Sequence, residues 1–198
     1  SKSKSVIHIE ELAWNSETSL ETWKTAWESQ KNRISASKLY TGRILNEQIQ
    51  ICKQFDDVKI YIISAGAGLI YPISKKIPSY EATFQDRNRV KVGQWCELPE
   101  GGLENLSLKA KDTVVCFAPP SYQRAMKNDP QFEEICSQLT VLSTSPLANV
   151  AKHTIQIHPR AKEAMKVSSR DLNTELTKKY FTEGEKGFES LYKDCLLL

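Results

Sequence analysis

The feature that most restricts the fold is the run Val58-Lys59-Ile60-Tyr61-Ile62-Ile63, almost wholly apolar and halted by Ser64-Ala65-Gly66-Ala67-Gly68. A strand with so few polar positions is expected where helices cover both faces of a sheet. A comparable stretch, Thr113 to Ala118, stops at Pro119-Pro120, where a locked φ and a missing N–H end strand pairing. Val6 to Ile9, Thr140 to Ser143 and His153 to His158 are shorter segments that also suit strands.

Helical patterns separate these strands. Thr18-Ser19-Leu20-Glu21 has the make-up of a capping box, and Leu20, Trp23 and Trp27 follow at helical spacing. The two tryptophans can stack on bases, but burial in a core is the commoner use of such large rings. Between Ser37 and Phe55, Ile44, Leu45, Ile49 and Cys52 recur every three or four residues, which predicts a second helix. Asp129-Pro130 predicts a helix start running to about Leu139. Ser168 to Asp171 is a second capping box, opening a last helix of about three turns through Leu172, Leu176 and Tyr180.

Strands alternating with helices predict a three-layer α/β sandwich with a mainly parallel central sheet. A chain of 198 residues has the length of one domain, 1–198. The polar segment Arg87 to Lys111, with Gly93, Gly101 and Gly102 and little periodicity, reads as an excursion or insertion at 87–111.

Composition excludes several classes. With 40% hydrophobic and 26% charged residues and only 8 Gly and 8 Pro, the chain is neither disordered nor collagen-like. The 5 cysteines are odd in number and widely spaced, which disfavours a disulfide framework or a thiolate zinc site and fits free thiols in a cytoplasmic, reducing setting. No window approaches a membrane span, so no membrane partner is expected. His153 and His158 lack the spacing of a helical metal pair, so neither a metal nor a cofactor is expected.

In parallel sheets, ligands gather at the carboxyl ends of strands. The loop from Ser64 to Pro72 therefore stands first: Ser64, Gly66 and Gly68 let a ligand approach the backbone, while a tight turn that permits close packing is the alternative. It is not a dinucleotide fingerprint, because Tyr71 stands where the third glycine belongs, and it has no phosphate-loop Gly-Lys-Ser/Thr. Tyr71 and Tyr80 are candidates to stack a flat ring. Glu81 is the candidate general base, a role that needs hydrogen-bond reach to a water; the alternative is a solvated surface carboxylate. Ser143 and Ser145, in the loop to Asn149, suit phosphate oxygens, though an ordinary loop fits equally.

The net charge of +3 decides little, but its distribution is uneven. Ala151 to Lys179 carries seven basic against three acidic residues, net +4, whereas Ser1 to Gln30 carries three lysines against five glutamates, net −2. Lys152, Arg160 and Arg170 then read as a phosphate-binding face, or as a solvated helix face.

Three stretches occur in order: Ser37-Lys38-Leu39-Tyr40-Thr41-Gly42-Arg43, Ile62 to Ile70, and Ile77-Pro78-Ser79-Tyr80-Glu81-Ala82-Thr83. Together they resemble the pattern of bacterial and phage proteins related to the peroxide-stress protein YaaA. That resemblance implies an α/β protein associated with DNA protection or modified-base metabolism, with a fold similar to uracil-DNA glycosylases. By position, Ser64 to Pro72 looks like the glycosylase loop that activates water or polarises a carbonyl, and Ser143 to Asn149 like its Ser-Pro loop. The first loop here lacks the usual Asp or Asn and the second the usual His.

The leading expectation is a DNA glycosylase that flips a modified base into a pocket at Gly66, cleaves the N-glycosidic bond with water activated by Glu81, and holds DNA phosphates through Lys38, Arg43, Ser143, Ser145, Lys152, Arg160 and Arg170. The alternatives are a transferase or hydrolase acting on a free nucleotide or base, and a non-catalytic DNA-binding protein.

Overall fold

The computed structural model describes residues 12–84, 90–168 and 171–197. The expected strand at Val6 to Ile9, Arg170 and part of the second capping box lie outside these residues.

The chain begins with β1 (Leu12–Ala13) and α1 (Leu20–Ser29). The Ser19 hydroxyl caps α1 by accepting from Thr22 N, while the Thr22 side chain accepts from Ser19 N, a reciprocal cap centred one residue later than the sequence suggests. Next come β2 (Arg33–Ser35), the single turn α2 (Ala36–Leu39) and α3 (Arg43–Cys52), whose Ile49 is buried. The strands β3 (Ile62–Ser64), β4 (Gly68–Ile70), β5 (Lys76–Pro78) and β6 (Tyr80–Glu81) follow, then β7 (Val114–Cys116). The remainder consists of α4 (Pro120–Lys127), α5 (Phe132–Cys136), β8 (Leu139–Leu142), β9 (His153–Ile155), α6 (Ala161–Ala164) and α7 (Leu172–Leu196).

The fold is mixed α/β, but its strands form small separate sheets. The pair β1–β6 is parallel, β2–β5 and β3–β4 are antiparallel, and β7–β8–β9 is parallel. The long apolar run therefore does not enter a large parallel sheet. Only Ile62 to Ser64 forms a strand, and the chain reverses through Ala65 to Ala67 so that Ser64 pairs with Gly68. The reversal depends on small residues. Gly68 has φ +104, a region costly for any side chain, and a Cβ there would run into the Gly101 carbonyl. At Gly66 a Cβ would meet Tyr80 Cε2 at 2.6 Å and Ala82 Cβ at 2.8 Å.

Two further expectations change. Asp129 does not cap a helix directly: its Oδ1 accepts from Gln131 N at 2.8 Å and its Oδ2 from Leu103 N at 2.8 Å, tying two loops together ahead of α5. The C-terminal helix runs for about the expected three turns and breaks at Gly184, where φ is 62° and ψ −154°, but a further, unexpected helical stretch continues to Leu196.

One large core holds Trp14, Trp23, Trp27, Ile70, Ile77, Trp95 and Val141, so the tryptophan stripe of α1 faces inward. A smaller core joins Leu142 and Ile155 of the parallel sheet to Ala161 of α6 and Leu176, Phe188 and Leu191 of α7. All four residues of β8 are buried, as its apolar sequence demands when both faces are packed. The segment 87–111, where described, supplies short 3-10 turns at Val92–Glu97 and Leu103–Asn105 and places Trp95 in the large core. No helix among the described residues is long and apolar enough to cross a membrane.

Gly66→Ala and Gly68→Ala should each destabilise the protein by about 1–3 kcal/mol, the usual cost of overpacking or of a forced backbone. Urea denaturation of the two variants against the parent checks this, and an unchanged midpoint would contradict the packing of the turn.

Candidate functional site

The turn after β3 is held by indole groups and by a second stretch of backbone. Trp23 Nε1–H donates to Gly66 O at 2.7 Å, and Trp95 Nε1–H donates to Ser64 O at 3.1 Å. Leu69 N donates to Gly101 O at 2.8 Å and Glu100 N to Ala67 O at 2.7 Å, so the loop around Gly101 is clamped onto the hairpin. Every one of these acceptors is a main-chain carbonyl.

Beneath the turn lies a chain of three hydroxyls. Ser64, only 3% exposed, accepts from Gly66 N and Ala67 N, both at 3.3 Å, and bonds to the Tyr80 hydroxyl. Tyr80 in turn bonds to the Tyr40 hydroxyl. With two N–H groups already on its oxygen, Ser64 is best satisfied by donating to Tyr80, and Tyr80 by donating to Tyr40. Tyr40 also hydrogen-bonds the Ser64 hydroxyl, so the three oxygens form one closed cluster. Burial pushes the Tyr40 phenol up to about 12, with the carboxylate of Glu100 among the groups adding to the rise. Burial, and then the neighbouring Tyr40, also holds Tyr80 well above the ordinary phenol value. Both rings stay neutral donors across the physiological range.

An open groove of about 640 Å³ is lined by Trp27, Arg33, Lys75, Glu100 and Gly101, among others. The Trp27 ring is 5.2 Å from that of Tyr80 and links the groove to the hydroxyls. The side chain of Glu100 is 7% exposed and ion-paired with Lys75, which is 46% exposed. Its main-chain oxygen accepts from Asn105 Nδ2 at 2.9 Å. A nearly buried carboxylate paired with one cation is suited to taking up a proton or stabilising a developing positive charge.

Residues 25–146 match a family described as a family of unknown function, DUF6884. The chain belongs to DUF6884. No curated protein and no solved structure matches it. The matched span of this DUF6884 chain contains Trp27, Arg33, Tyr40, the Ser64–Gly68 turn, Lys75, Tyr80 and Glu100, and stops before the basic stretch at Lys152, Arg160 and Arg170.

Of the residues expected at the site, Ser64, Gly66, Gly68 and Tyr80 come together. The space between Gly66 and Tyr80 is filled by their own contact, so the turn itself encloses no room for a ring. Glu81 does not join them. It follows Tyr80 on β6, where successive side chains face opposite ways, and it is exposed while Tyr80 and Ala82 pack on Gly66. Tyr71 is also elsewhere, 41% exposed and stacked on Tyr61 at 4.5 Å between ring centroids.

The expected phosphate contacts are mostly engaged within the protein. Arg43 pairs with Glu47 at 3.0 Å and with Asp171, and Arg160 pairs with Glu163 at 3.3 Å. Ser143 Oγ accepts from Ile157 N at 2.9 Å. Ser145 Oγ donates to Gln123 Oε1 and accepts from Leu147 N at 3.0 Å. Lys38 and Lys152 are exposed. The residues that sequence reasoning misses are Arg33, Lys75 and Glu100. Glu100 carries one signal, its place beside Gly101-Gly102, where the chain can make a close approach.

Because the folded protein holds its phenolic protons more tightly than the unfolded chain, stability is fully present below pH about 10 and falls as pH rises towards about 12, where Tyr40 ionises. Tyr40→Phe should make that decline shallower, as followed by thermal unfolding across the alkaline range. A decline of unchanged steepness would remove Tyr40 from the buried chain.

Proposed function

We propose that this protein is an enzyme of nucleobase chemistry that hydrolyses an N-glycosidic bond, with Glu100 as its carboxylate and a free nucleotide preferred to polymeric DNA as substrate. The observation that carries the reading is a nearly buried Glu100, paired with Lys75, in a groove whose Trp27 packs on Tyr80 of the Tyr40–Tyr80–Ser64 hydroxyl chain. A volume of about 640 Å³ lies in the range of small-molecule sites.

In the proposed reaction the bond between the sugar C1′ and the base nitrogen breaks, and the electron pair leaves with the base, which takes a proton from solvent. Positive charge builds on the sugar as this happens. Glu100 stabilises that charge and accepts a proton from water as the water oxygen bonds to C1′.

The resemblance to YaaA-related and uracil-DNA glycosylase-like proteins supports the same bond class. A three-layer arrangement is part of this reading, supported by the β7–β8–β9 sheet, which meets the large core through Val141 and the α6–α7 core through Leu142 and Ile155. The five free cysteines support a cytoplasmic setting. Engagement of Arg43 and Arg160 by carboxylates favours a small substrate over DNA. The DNA glycosylase reading keeps Lys38 and Lys152 as exposed phosphate contacts.

Mass spectrometry of bases released from free nucleotides and from modified-base DNAs tests the proposal. Glu100→Gln should slow release by about 100-fold or more, the usual scale for a lost general base, and Glu81→Gln should leave it unchanged. Release at the parent rate by Glu100→Gln, or binding without any released base, would overturn the assignment.

A further inference from the structure

Within the proposed groove, two cations have chemistry that Glu100 and the hydroxyl chain do not use. Arg33 is half-buried where β2 begins. Its Nη2 donates to Trp27 O at 2.9 Å and its Nε to Gln30 O at 3.2 Å, both main-chain carbonyls at the end of α1. Those bonds fix the plane of the guanidinium without cancelling its charge, because no carboxylate among the described residues pairs with it, and Nη1 keeps its hydrogens for another acceptor. Lys24, one turn before Trp27 on α1, is also half-buried, lines the same groove and makes no ion pair among the described residues. Of the carboxylates lining the groove, Glu28 and Glu97 are exposed, where water screens them more strongly than it screens the two cations, and Glu100 is engaged by Lys75.

Two half-buried cations that form no ion pair among the described residues, one pre-oriented by main-chain carbonyls, make a receptor for a compact anion with several oxygens. We infer that Lys24 and Arg33 form a phosphate subsite, so that the groove takes a nucleoside monophosphate in preference to the nucleoside. The inference rests on the reading of the groove as a nucleotide site and adds its charge requirement. The phosphate lies at the α1–β2 corner, leaving the sugar to meet Glu100.

Isothermal titration of the intact protein with the four deoxynucleosides and their 5′-monophosphates tests this. The monophosphates should bind about 10-fold or more tighter than the nucleosides, as expected for charge-assisted bonds to a phosphate. Lys24→Gln should weaken monophosphate binding several-fold more than nucleoside binding, and raised salt should do the same. Arg33→Gln should erase the preference; because Arg33 also ties down α1, its unfolding midpoint is measured alongside, and Lys24→Gln, which breaks no structural bond, carries the result if Arg33→Gln does not fold. Nucleosides binding as tightly as monophosphates would overturn the subsite while leaving the groove reading intact. Failure of both ligand sets to bind would overturn the two together.

Discussion

Two indole N–H groups, from Trp23 and Trp95, reach across the core to the carbonyls of Gly66 and Ser64, and the positions of the groups around them follow from that. A turn made of Ser, Ala and Gly has almost no side chain with which to bury itself, and its exposed peptide groups would be costly in an apolar setting. Tryptophan resolves both problems at once, since a single residue brings a large apolar surface and one directed donor. With Gly101 O and Glu100 N completing the clamp, the turn becomes rigid. The same clamp sets Glu100 beside the hairpin, and the Ser64 hydroxyl is fixed by the two amides that donate to it.

How far the fold can be read from the chain depends on whether an element's pattern is local. α1 and α3 follow from their three- and four-residue apolar spacing, and β7, β8 and β9 from short β-branched runs. The pairing of β3 is not local. Val58 to Ile63 has the apolar content of a strand buried on both faces, but burial by helices and burial by tryptophans and a returning hairpin demand the same side chains. What distinguishes them is the Gly68 conformation, which lets the chain reverse at once, and a glycine does not announce the sign of its φ. The helical stretch after the break at Gly184 escapes for the opposite reason: Gly187 lowers its local propensity, and the burial of Phe188 and Leu191 in the smaller core sustains it.

The site was legible to the extent that it depends on small residues and aromatics close in sequence. Ser64, Gly66, Gly68 and Tyr80 are brought together as their spacing suggests. Glu81 shows how sharply strand alternation divides neighbours: one step along β6 turns a side chain from the hydroxyl chain to the solvent. Glu100 lies in a segment without periodicity, whose place is set by long-range ties: the backbone bonds of Leu69 and Glu100, the Trp95 indole on Ser64 O, and Leu103 N on Asp129. Basic residues misled in another way. A count of charges in the sequence says nothing of the carboxylates that meet Arg43 and Arg160 in three dimensions.

The hydroxyl chain is the polar element of an otherwise apolar core. Tyr40, Tyr80 and Ser64 each bring a polar oxygen into a region dominated by tryptophan, and apolar residues of similar shape would fill it without the need for partners. The three hydroxyls satisfy one another, and the Glu100 carboxylate lies close enough for its charge to raise the Tyr40 phenol further. Trp27 stands between this cluster and the groove that Glu100 and Lys75 line, so the packing of one indole couples the buried hydroxyls to that surface.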